Sequence, residues 1–129
     1  ACFEAIGGLL MAPGWDTVDL IKANLLGWQT KTFPDIALIH HRPTGGAYGS
    51  WSNWVKNGLA NYITGYDPVF MAVKCLRRSL RRPQSGLGLW CGFMKGYFKR
   101  IPQVQDRAMI RYLRSQQRRA LTFRSNLWH

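Results

Sequence analysis

Proline punctuation constrains this chain more than any other feature. Pro68, Pro83 and Pro102 divide residues 65–129 into pieces of helix length. A proline inside a helix removes a backbone donor and clashes with the preceding turn, so each one marks a start or a stop. Gly65-Tyr66-Asp67-Pro68 is the clearest break: Asp67 is placed to cap a new helix, with Pro68 at its first position. The helix that follows carries Val69, Phe70, Val73, Leu76 and Leu80 as an apolar stripe. It ends in Arg77, Arg78, Arg81 and Arg82, cations well placed on a C-terminal dipole. Beyond Pro83, residues 85–98 (SGLGLWCGFMKGYF) are apolar and glycine-laced, but shorter than the roughly 20 residues a bilayer span needs. A buried hairpin helix and a segment lying in a membrane interface both suit them. Past Pro102, residues 103–123 read as an amphipathic helix, with Arg107, Arg111, Arg114 and Arg118 aligned at i, i+4, i+7 and i+11. Ahead of these breaks, residues 54–64 form an aromatic-rich helix, with Ser50 or Ser52 as its cap and its apolar face packed into the core.

The first half is organised around residues 14–45, which read as turn, helix, turn, strand and loop. Asp16 is a candidate N-cap, with Asp19 in the capping-box position three residues on. Val18, Ile21, Leu25 and Leu26 share a helical face, and Gly27 ends the helix as a left-handed cap. Residues 30–33 are β-prone until Pro34, and residues 36–39 suit a short buried strand. That strand delivers His40, His41 and Arg42 into a loop turning at Pro43 and Gly45. The chain as a whole is therefore expected to be mostly α-helical with one or two short strands.

Net charge is +12, and it is unevenly spread. Residues 1–64 balance four basic against four acidic residues, whereas residues 65–129 carry fourteen basic against two acidic. Such asymmetry suggests an anionic partner: a membrane surface, nucleic acid or an acidic companion domain. A solvated basic face is the plainer alternative. Cys2, Cys75 and Cys91 form no CxxC pair, which leaves no zinc signature and no disulfide framework; reduced thiols are expected. The opening ACFEAIGG has no initiator Met and no signal-peptide pattern, and is expected to be a helix end closed by Gly7-Gly8 within a longer protein.

Gly14-Trp15-Asp16, Lys22, Gly27-Trp28, the run from Thr30 to Asp35 and His40-His41-Arg42-Pro43-Thr44-Gly45 together resemble the back half of the catalytic domain of family 2 glycosyltransferases. The preceding Phe3-Glu4-Ala5-Ile6-Gly7-Gly8 is similar to the turn that leads into that region. The resemblance covers roughly residues 2–46 and extends more loosely over the helical tail. It implies an α/β parent fold of the type A nucleotide-sugar transferases. Residues 1–46 would be the acceptor-side end of the catalytic domain, and residues 47–129 a basic helical C-terminal extension.

The family's catalytic base is an aspartate at a helix start, eleven positions before the helix-ending glycine and six before a basic residue. Asp16 stands eleven before Gly27 and six before Lys22, so the resemblance makes Asp16 the base, with Asp19 as the fallback. Trp15 replaces the glutamate common in the family. The chemistry agrees: an inverting transfer needs a carboxylate to take the proton of the acceptor hydroxyl, and a helix N-terminus keeps a carboxylate ionised. A plain helix-capping role for Asp16 is the alternative. By the same resemblance His40 and His41 are candidate ligands of a divalent cation, Mn or Mg, held mainly by residues of the missing N-terminal half, and Arg42 is a candidate phosphate partner.

The implied function is the C-terminal part of a glycosyltransferase moving a sugar from a nucleotide-sugar donor to a glycan or lipid-linked acceptor with inversion, in bacterial cell-surface glycan synthesis. The chain alone is expected to be inactive and to self-associate through uncovered apolar surface. The expected location is cytoplasmic, peripheral at the inner membrane face, with Arg77, Arg78, Arg81 and Arg82 on anionic lipid. The competing reading is a non-enzymatic basic helical module binding nucleic acid or an anionic membrane surface. Against nucleic acid stand the lack of a helix-turn-helix or zinc pattern and the neutral first half. A third reading is an interaction domain whose apolar residues 87–98 dock a partner helix.

Overall fold

The computed structural model describes residues 1–9, 11, 13–29, 36 and 49–122. They form six helices: α1 (Cys2–Ala5), α2 (Trp15–Leu25), α3 (Ser50–Ile63), α4 (Pro68–Arg81), α5 (Pro83–Phe98) and α6 (Arg107–Leu121). The described residues contain no strand. The strands expected over 30–33 and 36–39 lie outside them, apart from Ile36, which is exposed where a buried strand was expected.

The local punctuation signals act where they stand in the sequence. Asp67 caps α4: its Oδ1 accepts from the Val69 and Phe70 backbone N–H groups at 2.9 and 3.3 Å, and Pro68 takes the first helical position. Gly27 has φ +82, and the Trp28 and Gly27 N–H groups close back on the Ala23 and Asn24 carbonyls, a Schellman ending. Gly65, with φ +87, ends α3 in the same way. α3 starts at Ser50 with Gly49 as its N-cap, four residues before the expected start, and neither Ser50 nor Ser52 caps it.

Residues 85–98 lie in α5, which buries its glycine face with Leu89 and Phe93 and leaves Leu87, Cys91 and Phe98 exposed. Gly88, Gly92 and Gly96 recur every fourth residue on α5 and form a trough that receives α3. A methyl group at position 92 would strike the Val55 carbonyl, and one at position 58 of α3 would strike the Leu89 backbone. Backbones this close exclude side chains larger than hydrogen at the contact. On the other side of α5, Gly86 lies against Cys75 and Ser79 of α4. That contact and the core together turn Met71 and Cys75 of α4 inward. The apolar stripe of Val69, Val73, Leu76 and Leu80 is thereby left outward, with Leu76 66% and Leu80 81% exposed.

α2 joins the same core. Val18 and Ile21 cluster with Tyr62, Met71, Phe93 and Met109, drawn from α3 to α6. Among the described residues no helix is long and apolar enough to cross a membrane. α6 closes the bundle as a clamp on the α3–α4 turn. Arg114 Nε donates to the Gly65 carbonyl at 2.9 Å, the Asp67 N–H donates to Gln117 Oε1 at 2.8 Å, and Arg118 Nε donates to Asp67 Oδ2 at 3.0 Å. Two of the four aligned arginines of α6 thus serve internal structure.

Candidate active site

The start of α2 differs from the sequence expectation. The helix begins at Trp15, one residue before Asp16, and its N-cap is Gly14 in the left-handed region at φ +88. Glycine is required there twice over, by that φ and because a Cβ would approach Thr64 Oγ1 to 2.9 Å. Asp16 therefore sits inside the first turn as an uncommitted carboxylate instead of an N-cap, and no capping box forms with Asp19.

Asp16 opens into a cleft of about 450 Å³ bounded by the start of α2, by α3 and by α4. Its carboxylate is exposed and, among the described residues, has no hydrogen-bond or ion-pair partner. Around it stand the side-chain amides of Asn57 and Asn61, the phenol of Tyr66 and the cations of Lys74 and Arg78. Burial, followed by the charge of Asp16, raises the pKa of Tyr66, which keeps its hydroxyl protonated as a donor. Burial, with a smaller contribution from Arg78, lowers the pKa of Lys74, while Cys75 acts against the shift. Two aromatic faces orient these cations: Arg78 lies 4.4 Å from the Trp54 ring centre, and Lys74 lies 4.9 Å from that of Tyr66.

Asp19, the fallback, does not line this cleft. Its Oδ1 is buried without a hydrogen-bond partner among the described residues. Lys22, six residues after Asp16, donates to the Ile6 carbonyl at 3.3 Å and ties α2 to the turn after α1. The candidate ligands His40 and His41 and the candidate phosphate partner Arg42 lie outside the described residues. Among the described residues no group of three or more His, Cys, Asp or Glu side chains gathers to hold a metal ion. The cleft offers one carboxylate beside two cations, a donor set that does not fit a divalent cation.

Arg77, Arg81 and Arg82 are exposed and line a second, larger groove next to the cleft, with Lys74 and Arg78 shared between the two. Cys75 is a buried thiol whose pKa burial pushes up, against the lowering effect of Lys74 and Arg78; it is no nucleophile. All three cysteines are free.

The sequence reading missed Tyr66, Lys74, Asn57 and Asn61. Asn57 and Asn61 are spaced i, i+4 on α3, and Lys74 and Arg78 are spaced i, i+4 on α4. That spacing predicts shared faces but says nothing of which neighbour each face meets. Comparisons with protein-family profiles, curated proteins and solved structures return no match.

Proposed function

We propose that this chain is the acceptor side of an inverting glycosyltransferase and that Asp16 is its catalytic base. The observation that carries the reading is the coincidence of two independent facts. The residue that the motif spacing selects is also a carboxylate that, among the described residues, has no partner and opens into a cleft lined by neutral donors and cations. The parent fold is the α/β type A nucleotide-sugar transferase fold, with residues 1–46 as its acceptor-side end and residues 47–129 as a basic helical extension that packs against it.

In the reaction, the acceptor hydroxyl gives its proton to Asp16 as its oxygen bonds to the anomeric carbon of the donor sugar. The bond from that carbon to the donor phosphate breaks, and the electron pair leaves on the nucleotide diphosphate. A base held in position contributes about 10²- to 10⁴-fold. Tyr66, Asn57 and Asn61 supply hydrogen bonds that orient the acceptor hydroxyls. Lys74 and Arg78 supply positive charge beside the carboxylate, which favours anionic groups in the cleft. No step is assigned to a metal in this cleft, whose donors do not suit one.

The same reading places the protein at the cytoplasmic face of a bacterial membrane. The outward face of α4 is an apolar stripe flanked by Arg77 and Arg81. A lipid interface satisfies both features at once, at about 1 kcal/mol per basic residue near an anionic surface. A nucleic-acid backbone would satisfy only the charge.

The test is a panel of nucleotide sugars offered to the full-length gene product with candidate glycan and lipid-linked acceptors. Consumption of one donor, coupled stoichiometrically to glycosylated acceptor with inverted anomeric configuration, is expected. A protein that binds and consumes no donor would sink the reading.

A further inference from the structure

Beside the candidate cleft runs a groove of about 820 Å³. One wall is α4, where Phe70, Lys74, Arg77 and Arg81 fall at i, i+4, i+7 and i+11 and so form a line. This line is one register on from the outward apolar stripe, so α4 has three faces: outward apolar, groove-lining basic, and inward with Met71 and Cys75. Arg78 and Arg82 also reach the groove, and Leu121 at the end of α6 closes its far side. Five cations therefore line the groove, and among the described residues no carboxylate lines it; Asp16 faces Lys74 and Arg78 only from the adjoining cleft. The ion pairs of Ala1 with Glu4 and of Arg118 with Asp67 both lie away from the groove.

Two ordinary explanations for such a cluster fall short here. Cations near a helix C-terminus complement the dipole, but a helix end carries only about half a unit charge, and its effect fades within a turn. Lys74 stands mid-helix, beyond that reach. Exposed arginines are often simply solvated, yet Lys74 is partly buried, facing an aromatic ring and a second cation, Arg78. Burial and Arg78 both disfavour its charge. A cation held there against desolvation and like charge is stabilised when an anion binds.

We propose that this groove is a binding site for a phosphate-bearing amphiphile. The phosphate or diphosphate sits on Lys74, Arg77 and Arg81, and the apolar chain runs along Phe70, Val73 and Leu121. Phosphate oxygens accept charge-assisted hydrogen bonds from guanidinium and ammonium groups, which are the stronger hydrogen bonds of proteins. Val73 belongs both to the groove wall and to the outward stripe, so the chain leaves the groove on the apolar face of α4. The shared Lys74 and Arg78 set the phosphate end beside the Asp16 cleft. That this ligand is the lipid-linked acceptor rests on the transfer reading above; the phosphate site itself does not.

The experiment is calorimetric titration of the full chain with inorganic pyrophosphate, farnesyl diphosphate and farnesol, with vesicles containing phosphatidylglycerol as a separate arm. Farnesyl diphosphate is expected to bind at least about tenfold more tightly than pyrophosphate, and farnesol not to bind. The double substitution Arg77→Gln/Arg81→Gln, at exposed positions, should weaken both phosphate ligands by about 10- to 100-fold with an unchanged melting curve. Val73→Asn should lower farnesyl diphosphate binding towards the pyrophosphate level and leave pyrophosphate alone. Equal affinity for the two phosphate ligands overturns the amphiphile, binding that survives the double substitution overturns the site, and binding to vesicles alone makes this a surface instead of a groove. A chain that passes these tests yet shows no Asp16-dependent transfer sinks the transfer reading and leaves the groove standing; the converse sinks only the groove.

Discussion

Asp67 shows how much one side chain can hold together. One carboxylate oxygen caps α4, the other pairs with Arg118, and its own N–H is taken by Gln117. Burial opposes its charge, but the Arg118 hydrogen bond, the Phe70 and Val69 N–H groups and the charge of Arg118 outweigh that and lower its pKa. A lowered carboxylate pKa stabilises the fold fully above the unfolded value, about 4, and that contribution is lost as pH falls through the folded value. Asp67→Asn keeps a competent cap and removes the charge, so urea melts should show its stability changing less than wild type between neutral and acid pH. Arg118 is 73% exposed, and Arg118→Gln is expected to cost no more than about 1 kcal/mol. At this scale the cap was legible in the sequence, because Asp-Pro at a helix start is local chemistry. The role of Asp16 as a cap was misjudged for an equally physical reason. The helix starts a residue earlier, with Gly14 as its cap at a left-handed φ and close against Thr64, which is far away in sequence. Tyr66 and Lys74 were not legible at all, since only tertiary packing brings them to the cleft.

Between elements, the decisive contact is backbone against backbone. Gly92 admits the Val55 carbonyl of α3, so Gly92→Ala should destabilise by about 2–3 kcal/mol, although alanine favours an isolated helix by about 1. The opposite sign is expected just past the end of α5. Arg100 has φ +47 and closes a Schellman ending, with the Ile101 N–H on the Gly96 carbonyl. A left-handed non-glycine residue costs roughly 1–2 kcal/mol, and glycine returns about half of that to unfolded-chain entropy, so Arg100→Gly should stabilise by about 0.5 kcal/mol. Chemical denaturation of both variants in parallel checks the pair. Helix order and breaks were visible in the prolines and glycines. The partner of each face was not: residues 85–98 suited a core and an interface equally, and the α4 stripe carried no sign of which way it faces. The trough of Gly88, Gly92 and Gly96 that receives α3 decides the first, and the contact of Gly86 with Cys75 and Ser79 bears on the second.

For the whole molecule, charge and exposed apolar surface coincide on α4. Leu76 and Leu80 are exposed, so Leu76→Glu with Leu80→Glu should leave the melting curve unchanged and abolish sedimentation with vesicles rich in phosphatidylglycerol. Retained sedimentation would assign lipid binding to the arginines alone. The charge asymmetry was plain in the sequence, whereas its division was not: Arg114 and Arg118 clamp the α3–α4 turn, while Arg77, Arg78, Arg81 and Arg82 face the groove. The proposed catalytic role of Asp16 is tested by single-turnover transfer with Asp16→Asn beside Asp19→Asn in the full-length gene product. Asp16→Asn is expected to slow transfer by about 10²- to 10⁴-fold with donor affinity unchanged, and Asp19→Asn to transfer at close to the wild-type rate. Transfer that survives Asp16→Asn, or that is lost in Asp19→Asn instead, would contradict the account.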